Sequence, residues 1–588
     1  MMARFAKAYQ SNDVSLVFKV VIFICGVLGI MIAARKLFPA RSMFPSASVS
    51  SSSSSVFHYL SPLPQHGRRI VATTWNIAAI NNNPFEYWIT NEDAIYNDLM
   101  KKVSLFIETP GAYDIPVKEV FTEQMFTDLE SSMKLVEWTG VAETRSMWDE
   151  DFKNRKIITG FIKDGLLGKK RLASMPDRVT NSINTVNEGV VTRPSVINCY
   201  SGDLGSIDKW WDQWREFIFS KNVLIKKHGV DTSVKIMDLI TPISKSKYPA
   251  ITTEEEKISV PLQVLCAAIF DAILVDMMNK LAPSQWQPLR EDMCNKLNRH
   301  KLDRTMEILE TTYANSDIQF LQEVSSSFSE SATNPSRKLG HLFEVWSPAS
   351  MDADRDQNSY ILLKREKFRD VKEVTEEVLA EFSSSSSSSS NSKIPVMKGD
   401  LLVLTAVDSS SGSKFLLASF HGDTNGLATI PVVTAVYNYA MSKRPDHKLL
   451  FGMDANTYEK PDEDQQGVVA FAKFYTSKKL DSCYGPEPNP KNYTTFHART
   501  HLQPQLNKAV SLEEKGIKGD KNPKDFIIFF AADFQVLVTT KDNTGHRKYV
   551  DDMVFPTLTF PSDHGITYTE LLEVNNNSKG AASLRGVV

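Results

Sequence analysis

The chain has 588 residues, of which 42% are hydrophobic and 23% charged, and its formal net charge is −3. That composition fits one large elaborated domain or two to three ordinary ones and excludes a fibrous or wholly disordered chain. The near-balanced charge excludes a chain-wide basic footprint for nucleic acid, and the five dispersed cysteines lack the spacing of a metal finger, so they read as scattered free thiols.

Residues 20–34 are uninterrupted apolar, and extending them back through Lys19 to Val14 gives a stretch close to the ~20 residues that span a bilayer. Lys19 can snorkel toward the headgroups, and Arg35 and Lys36 close the far side. We read residues 1–41 as an N-terminal tail and single-pass transmembrane anchor, which places the protein in a membrane of the secretory pathway. A cleaved signal peptide and an organelle transit sequence are the competing readings. Basic residues flank both sides of the span, so its orientation stays open. Residues 42–67 form a serine-rich linker that cannot bury enough surface to order itself.

The soluble part opens with residues 68–90. Within it Arg69–Asn76 is apolar and β-branched and reads as a buried strand closing on Asn76. Residues 91–300 read as a mostly helical insertion, with helical periodicity over Ala94–Ile107, over Val117–Trp138 and over the long apolar stretch Val260–Leu281. The last is long enough for a bilayer, but Asp271 and Asp276 are costly at that depth, so it reads as a core helix. Trp210, Trp211 and Trp214 read as core packing.

Leu302–Tyr313 then has one apolar helical face. Strands follow at Ile318–Val324, His341–Trp346, Ser359–Lys364, Leu401–Val407, Lys414–Phe420, Lys448–Gly452, Asp525–Phe530 and Val536–Val538. Residues 301–572 together with 68–90 therefore build an α/β fold, a two-sheet sandwich flanked by helices. A disordered serine loop interrupts it at 383–392, and a disordered tail follows at 573–588.

Six short motifs close these apolar runs in a fixed order: Thr74-Trp75-Asn76, Leu321-Gln322-Glu323-Val324, Ser419-Phe420-His421, Gly452-Met453-Asp454-Ala455-Asn456, Lys524-Asp525-Phe526-Ile527 and Ser562-Asp563-His564-Gly565. Each places a polar residue at the end of a buried run. The ordered set resembles the endonuclease/exonuclease/phosphatase superfamily, whose fold is that of pancreatic deoxyribonuclease. The resemblance covers residues 70–90 and about 300–572 and implies a divalent-metal-dependent hydrolase of phosphate esters.

Cleaving such an ester in water needs a cation to offset phosphoryl charge, a base for the water, and donors that hold the transition state. The resemblance makes Glu323 the principal ligand of Mg²⁺, with Mn²⁺ as the alternative, and Asn76 a carboxamide ligand or orienting group. His564 is the candidate base, because a neutral imidazole accepts a proton near physiological pH. Asp525 is the carboxylate behind it. Asp563 points the other way on an extended backbone and is the third metal candidate, with an exchange of roles between Asp525 and Asp563 left open. Asp454 and Asn456, two residues apart, share one face. By resemblance Asp454 orients the attacking water and Asn456 donates to the phosphate, while His421 donates to a non-bridging oxygen. Asp423 and Asn425 are candidate substrate contacts.

Three features depart from the pattern. Asn81-Asn82-Asn83 matches no subgroup, the Gly452–Asn456 motif is one residue long, and Phe526 stands where Tyr is usual. The subgroup is therefore unassigned, and the substrate class spans nucleic acid, inositol phosphates and phospholipids. The insertion leaves from a strand end that carries a site residue, so it reads as a lid or substrate-selecting domain. The rival readings are a catalytically inactive membrane-tethered binding or scaffold protein on the same fold, and an insertion that is itself the functional interaction module.

Overall fold

The computed structural model describes residues 67–574 apart from 80, 228, 352–355 and 385–395. The expected membrane anchor and serine linker (save Gly67) lie outside these residues, as do the serine loop beyond Ser384 and the tail beyond Val574.

In chain order, β1 (Arg68–Asn76) is followed by two hairpins of the insertion, β2 (Ser182–Asn184) with β3 (Val190–Thr192) and β4 (Asn222–Lys227) with β5 (Val230–Lys235). Then come β6 (Ile318–Val324), β7 (Phe343–Trp346), β8 (Asn358–Lys364), β9 (Phe368–Glu373), β10 (Leu401–Asp408), β11 (Lys414–His421), β12 (Lys448–Asp454), β13 (Leu480–Ser482), β14 (Asp525–Phe530), β15 (Phe534–Asp542) and β16 (Ile566–Glu573).

Two six-stranded sheets result, ordered β15-β16-β1-β6-β8-β7 and β13-β14-β12-β11-β10-β9. Their facing side chains, among them Ile70, Phe320, Leu404, Leu417, Leu450 and Ile527, form one buried layer. The helices Thr429–Lys443 and Val468–Ser477 cover the outer face of the second sheet. Residues of Lys301–Thr312 cover the first. This segment is α-helical to Glu307 and then widens into a π-helical turn over Ile308–Thr312, where a single helix was expected.

Two parallel pairs position the site. β1 runs parallel to β6 with Asn76 beside Gln322, and β11 runs parallel to β12 with His421 beside Asp454. Parallel neighbours end on the same side, so Asn76, Glu323, His421 and Asp454 emerge at one edge of the sandwich. The antiparallel β14 then sets Asp525 opposite Asp454.

Gly452 lets the sheets approach beneath that edge. A Cβ there would lie 2.4 Å from the Phe320 ring of the opposing sheet. Gly452→Ala is expected to lower unfolding free energy by about 1–3 kcal/mol, the usual range for overpacking, as measured by denaturant titration.

The chain between β1 and β6 builds its own hydrophobic core around the helix Ser259–Leu281. That helix has the length and hydropathy of a membrane span, yet 89% of its apolar window is buried inside the protein. Trp210 and Trp214 are fully buried against it and Trp211 nearly so. A second segment, residues 498–510, returns from the sandwich and inserts Ala498, Leu502, Leu506 and Val510 into this core.

His501 lies in that returning segment, and burial, followed by the Lys163 charge, lowers its pKa to about 4. Its depressed folded value means the unfolded chain binds the extra proton between pH ~6.5 and 4, so stability falls as pH falls through that window. His501→Gln is expected to flatten this limb of the thermal midpoint against pH profile.

Candidate active site

Buried companions brace each motif residue. Ser562 Oγ donates to Asn76 O (2.6 Å), and Trp75 Nε1 donates to His564 O (2.9 Å), which ties the His564 loop to β1. Gln322 Nε2 donates to Ser419 Oγ (3.1 Å), and Ser419 Oγ to Leu321 O (3.0 Å), which links β6 to β11 across the sandwich. Thr494 Oγ1 accepts from the backbone N–H of both Lys524 and Asp525 (2.9 and 3.1 Å), fixing the start of β14. These polar residues beside the motif groups are thus scaffold, each buried donor named here having its acceptor.

Asn76 is the hub. Its Nδ2 donates to Glu323 Oε1 (3.1 Å) and Asp454 Oδ2 (3.0 Å), and its Oδ1 accepts from Ala78 N (3.0 Å). A backbone N–H can only donate, so it fixes the amide with its oxygen turned from the carboxylates. In this arrangement the Asn76 amide nitrogen holds Glu323 and Asp454 together.

Glu323 has φ 50°, and the β6–β8 register shifts between Leu321 and Val324. A left-handed glutamate at a bulge costs on the order of 1–3 kcal/mol, and such strain gathers where a side chain is aimed for function. His421 Nε2 lies 3.3 Å from Glu323 Oε1 and 3.7 Å from Asp454 Oδ2. Asn456 turns back at φ 46°, and its N–H donates to Asp454 Oδ1 (2.9 Å). His564 Nδ1 lies 3.0 Å from Asp525 Oδ2, and its Nε2 faces Asp454 Oδ2 at 3.7 Å.

Glu323, Asp454 and Asp525 converge, and their only ion-pair partners among the described residues are His421 and His564. Donor atoms of Asp454, Asp525 and His564 lie within 4.8 Å of one another. Burial alone would lower the His564 pKa, but the Asp525 and Asp454 carboxylates outweigh it and raise the imidazole to about 10. An imidazolium cannot accept a proton, so these acids need a further positive charge before His564 serves as a base. Asp525 and His564 pair with each other, which leaves Glu323 and Asp454, whose oxygens meet only amide N–H groups and imidazoles, as the carboxylates open to a cation. Hard carboxylate oxygens fit Mg²⁺ or Mn²⁺.

Three expected residues stand elsewhere. Asp563 makes its one charged contact with His497 Nε2 (3.5 Å) and none with Glu323 or Asn76. Asp423 accepts from Leu427 N and Ala428 N (3.1 and 2.7 Å), which folds its carboxylate into the turn that precedes the helix Thr429–Lys443. Asn425 donates to Asp464 (3.1 Å) in an exposed loop.

Residues the motifs did not reveal also border the site. Lys301 is almost fully buried and donates to Ala78 O, with Asp563 and Glu323 among its charged neighbours. Burial lowers its pKa to about 8. His497 sits between Asp520 (3.6 Å) and Asp563 and meets the Tyr87 ring edge-on at 5.0 Å. Lys301 and His497 close no apolar strand, so nothing local marks them.

The six motifs meet in their expected order at one edge of two packed sheets. This is the convergence expected from the resemblance of the motifs to the endonuclease/exonuclease/phosphatase superfamily. Solved structures to which the chain is similar include humanized TDP2 from D. rerio, at 14% identity over 47% of this chain and 95% of that one, with a TM-score of 0.30. The human Nocturnin catalytic domain shows 13% identity over 46% and 86%, with a TM-score of 0.29. An endonuclease/exonuclease/phosphatase from Bacteroides vulgatus shows 12% identity over 46% and 90%, with a TM-score of 0.30. Likenesses at that level carry no weight of their own; strand order and the converging motifs establish a two-sheet α/β sandwich, and the subgroup is unresolved. The family described as Domain of unknown function (DUF8234) matches residues 114–291, inside the insertion. No curated protein matches the chain.

Proposed function

We propose that the protein is a membrane-anchored, divalent-metal-dependent phosphodiesterase that hydrolyses its substrate with a water activated by His564 and Asp525. The reading is carried by one observation: Asn76, Glu323, His421, Asp454, Asn456, Asp525 and His564 share a single cluster in which only imidazoles pair with the carboxylates.

Glu323 and Asp454 are the residues that would hold Mg²⁺. Such an ion, when bound, supplies positive charge for the phosphoryl oxygens. His564 takes the water proton at Nε2, while Asp525 keeps the Nδ1–H tautomer and stabilises the imidazolium. Asp454, between the two histidines, orients the water. His421 and Asn456 donate to the phosphoryl oxygens as charge builds there.

The test uses full-length protein in detergent with bis(p-nitrophenyl) phosphate. Turnover is expected with Mg²⁺ or Mn²⁺ and not in EDTA, and His564→Gln is expected to lose roughly 10²–10⁴ in kcat, the usual share of a general base. A parent protein inert with both ions would favour the non-catalytic binding reading. The anchor is tested separately: after alkaline carbonate extraction the chain stays with the membrane fraction, and release into the wash would oppose it.

A further inference from the structure

The insertion and its returning segment build a basic cluster beside the site. Arg499 and Ala509 form a parallel bridge, so Lys508 lies next to Arg499. The helix Gly165–Lys170 packs onto this segment so closely that a Cβ on Gly168 would sit 2.6 Å from Asn507 N. Arg171 follows that helix directly, and Arg178 stands on the next one. Burial and then Arg499 and Arg171 lower the Lys508 pKa; burial lowers Arg171, with Tyr248 opposing and Arg178 and Arg499 adding to it, whereas Arg499 itself is held up by Tyr87 and Glu86.

Nearby carboxylates are already engaged. Glu86 pairs with Arg499, Asp520 with Lys524, and Asp177 with Arg193. Among the described residues Arg171, Arg178 and Lys508 make no ion pair, and Arg171 Nε is buried without a hydrogen-bond acceptor. Arg178 and Lys508 are exposed to solvent, so the cost falls on the buried Arg171 donor, which an anion drawn in by its two unpaired neighbours would satisfy.

The cluster connects to the chemistry. The Arg499 guanidinium lies 5.5 Å from the centre of the Tyr87 ring, Tyr87 meets His497, and His497 pairs with Asp563, the neighbour of His564. We infer that Arg171, Arg178, Arg499 and Lys508 form a second anion subsite that takes another phosphate group of the substrate, beyond the ester being cleaved. This rests on the metal-dependent phosphoesterase reading, of which the phosphodiesterase is the favoured form, and narrows it to substrates with at least two phosphates, whether the ester cleaved is a diester or a monoester. The second phosphate is the shared chemistry of a short oligonucleotide and of an inositol bisphosphate.

The variant Arg171→Gln/Lys508→Glu, outside the catalytic set, tests it in the full-length protein. For a dinucleotide with a terminal phosphate and for an inositol bisphosphate, kcat/KM is expected to fall about tenfold or more on at least one, and the arm that responds names the source. Bis(p-nitrophenyl) phosphate, with a single phosphate, is expected to change less than about twofold. Equal losses on all three, or no loss on either doubly phosphorylated arm, would overturn the subsite. Binding of the same two ligands in EDTA, by calorimetry, is read independently of turnover and is expected to weaken by a similar factor for at least one. Unchanged binding of both overturns the subsite even if the diester is cleaved. Weakened binding with an inert parent keeps the subsite and sinks the phosphodiesterase reading. The exposed single change Lys508→Glu repeats the measurement without touching the stacking of Arg171 on Tyr248.

Discussion

Glu323→Gln is expected to cut Mg²⁺-dependent turnover by about 10³-fold or more, the several kcal/mol that a catalytic cation contributes. The substitution is nearly isosteric. Oε1 can still accept from Asn76 Nδ2, so the hub that joins Glu323 to Asp454 survives. What disappears is one negative charge at the point where a hard cation needs it. In EDTA the variant should be as stable as the parent or more so, because Glu323 and Asp454 both crowd Asn76 and His421 with no lysine or arginine pairing either of them. A steep loss of activity with an unmoved thermal midpoint is therefore the expected signature. Retained turnover at ordinary Mg²⁺ would remove Glu323 from the metal site.

The largest stability effect is expected inside the insertion. Arg193 and Asp271 are both essentially inaccessible to solvent. Arg193 Nε donates to Asp271 Oδ2 (2.8 Å), Nη1 to Thr180 (2.7 Å) and Nη2 to Asp177 (2.7 Å). Trp214 Nε1 and Ser195 Oγ complete the shell of Asp271 at 2.9 and 2.6 Å. Burial opposes the Arg193 charge, but Asp271 and Asp177 outweigh it and raise its pKa. Arg193→Met leaves Asp271 buried without its cation and is expected to cost about 3–5 kcal/mol, read by calorimetry or chemical denaturation. Adding Asp271→Leu should recover part of that loss, since the penalty belongs to the unpaired charge more than to the missing bond. A double variant that simply sums the two single losses would contradict this view of the pair.

The same network explains why a 23-residue apolar helix with an internal aspartate belongs to a core. The sequence supplied the argument through the cost of Asp271 at bilayer depth, and the structure supplies the partner, Arg193, from a distant loop.

The catalytic edge was legible for a related reason. Asn76, Glu323, His421 and Asp454 each close an apolar run and Asp525 opens one, and a carboxylate at either end is expensive without a purpose. Strand pairing then did the convergence, through the parallel β1–β6 and β11–β12 contacts. Asp423 and Asn425 carry no such signal, because polar loop residues after a strand serve equally well to fold the loop itself, and Asp423 accepts from the backbone of Leu427 and Ala428. Asp563 was placed by backbone alternation alone, which does not reveal that His497 waits on the other side. β9 escaped notice because this edge strand carries Arg369, Asp370 and Lys372 and shows little apolar alternation. Segment 498–510 entered the insertion core through contacts hundreds of residues apart, which no local period encodes.

Crystals of the full-length protein grown with Mn²⁺, measured at the manganese absorption edge, test the central claim most directly. The account predicts an anomalous peak about 2.0–2.3 Å from carboxylate oxygens of Glu323 or Asp454, within reach of His421 and His564. A well-occupied peak elsewhere with this cleft empty, or no peak at saturating Mn²⁺, would contradict it.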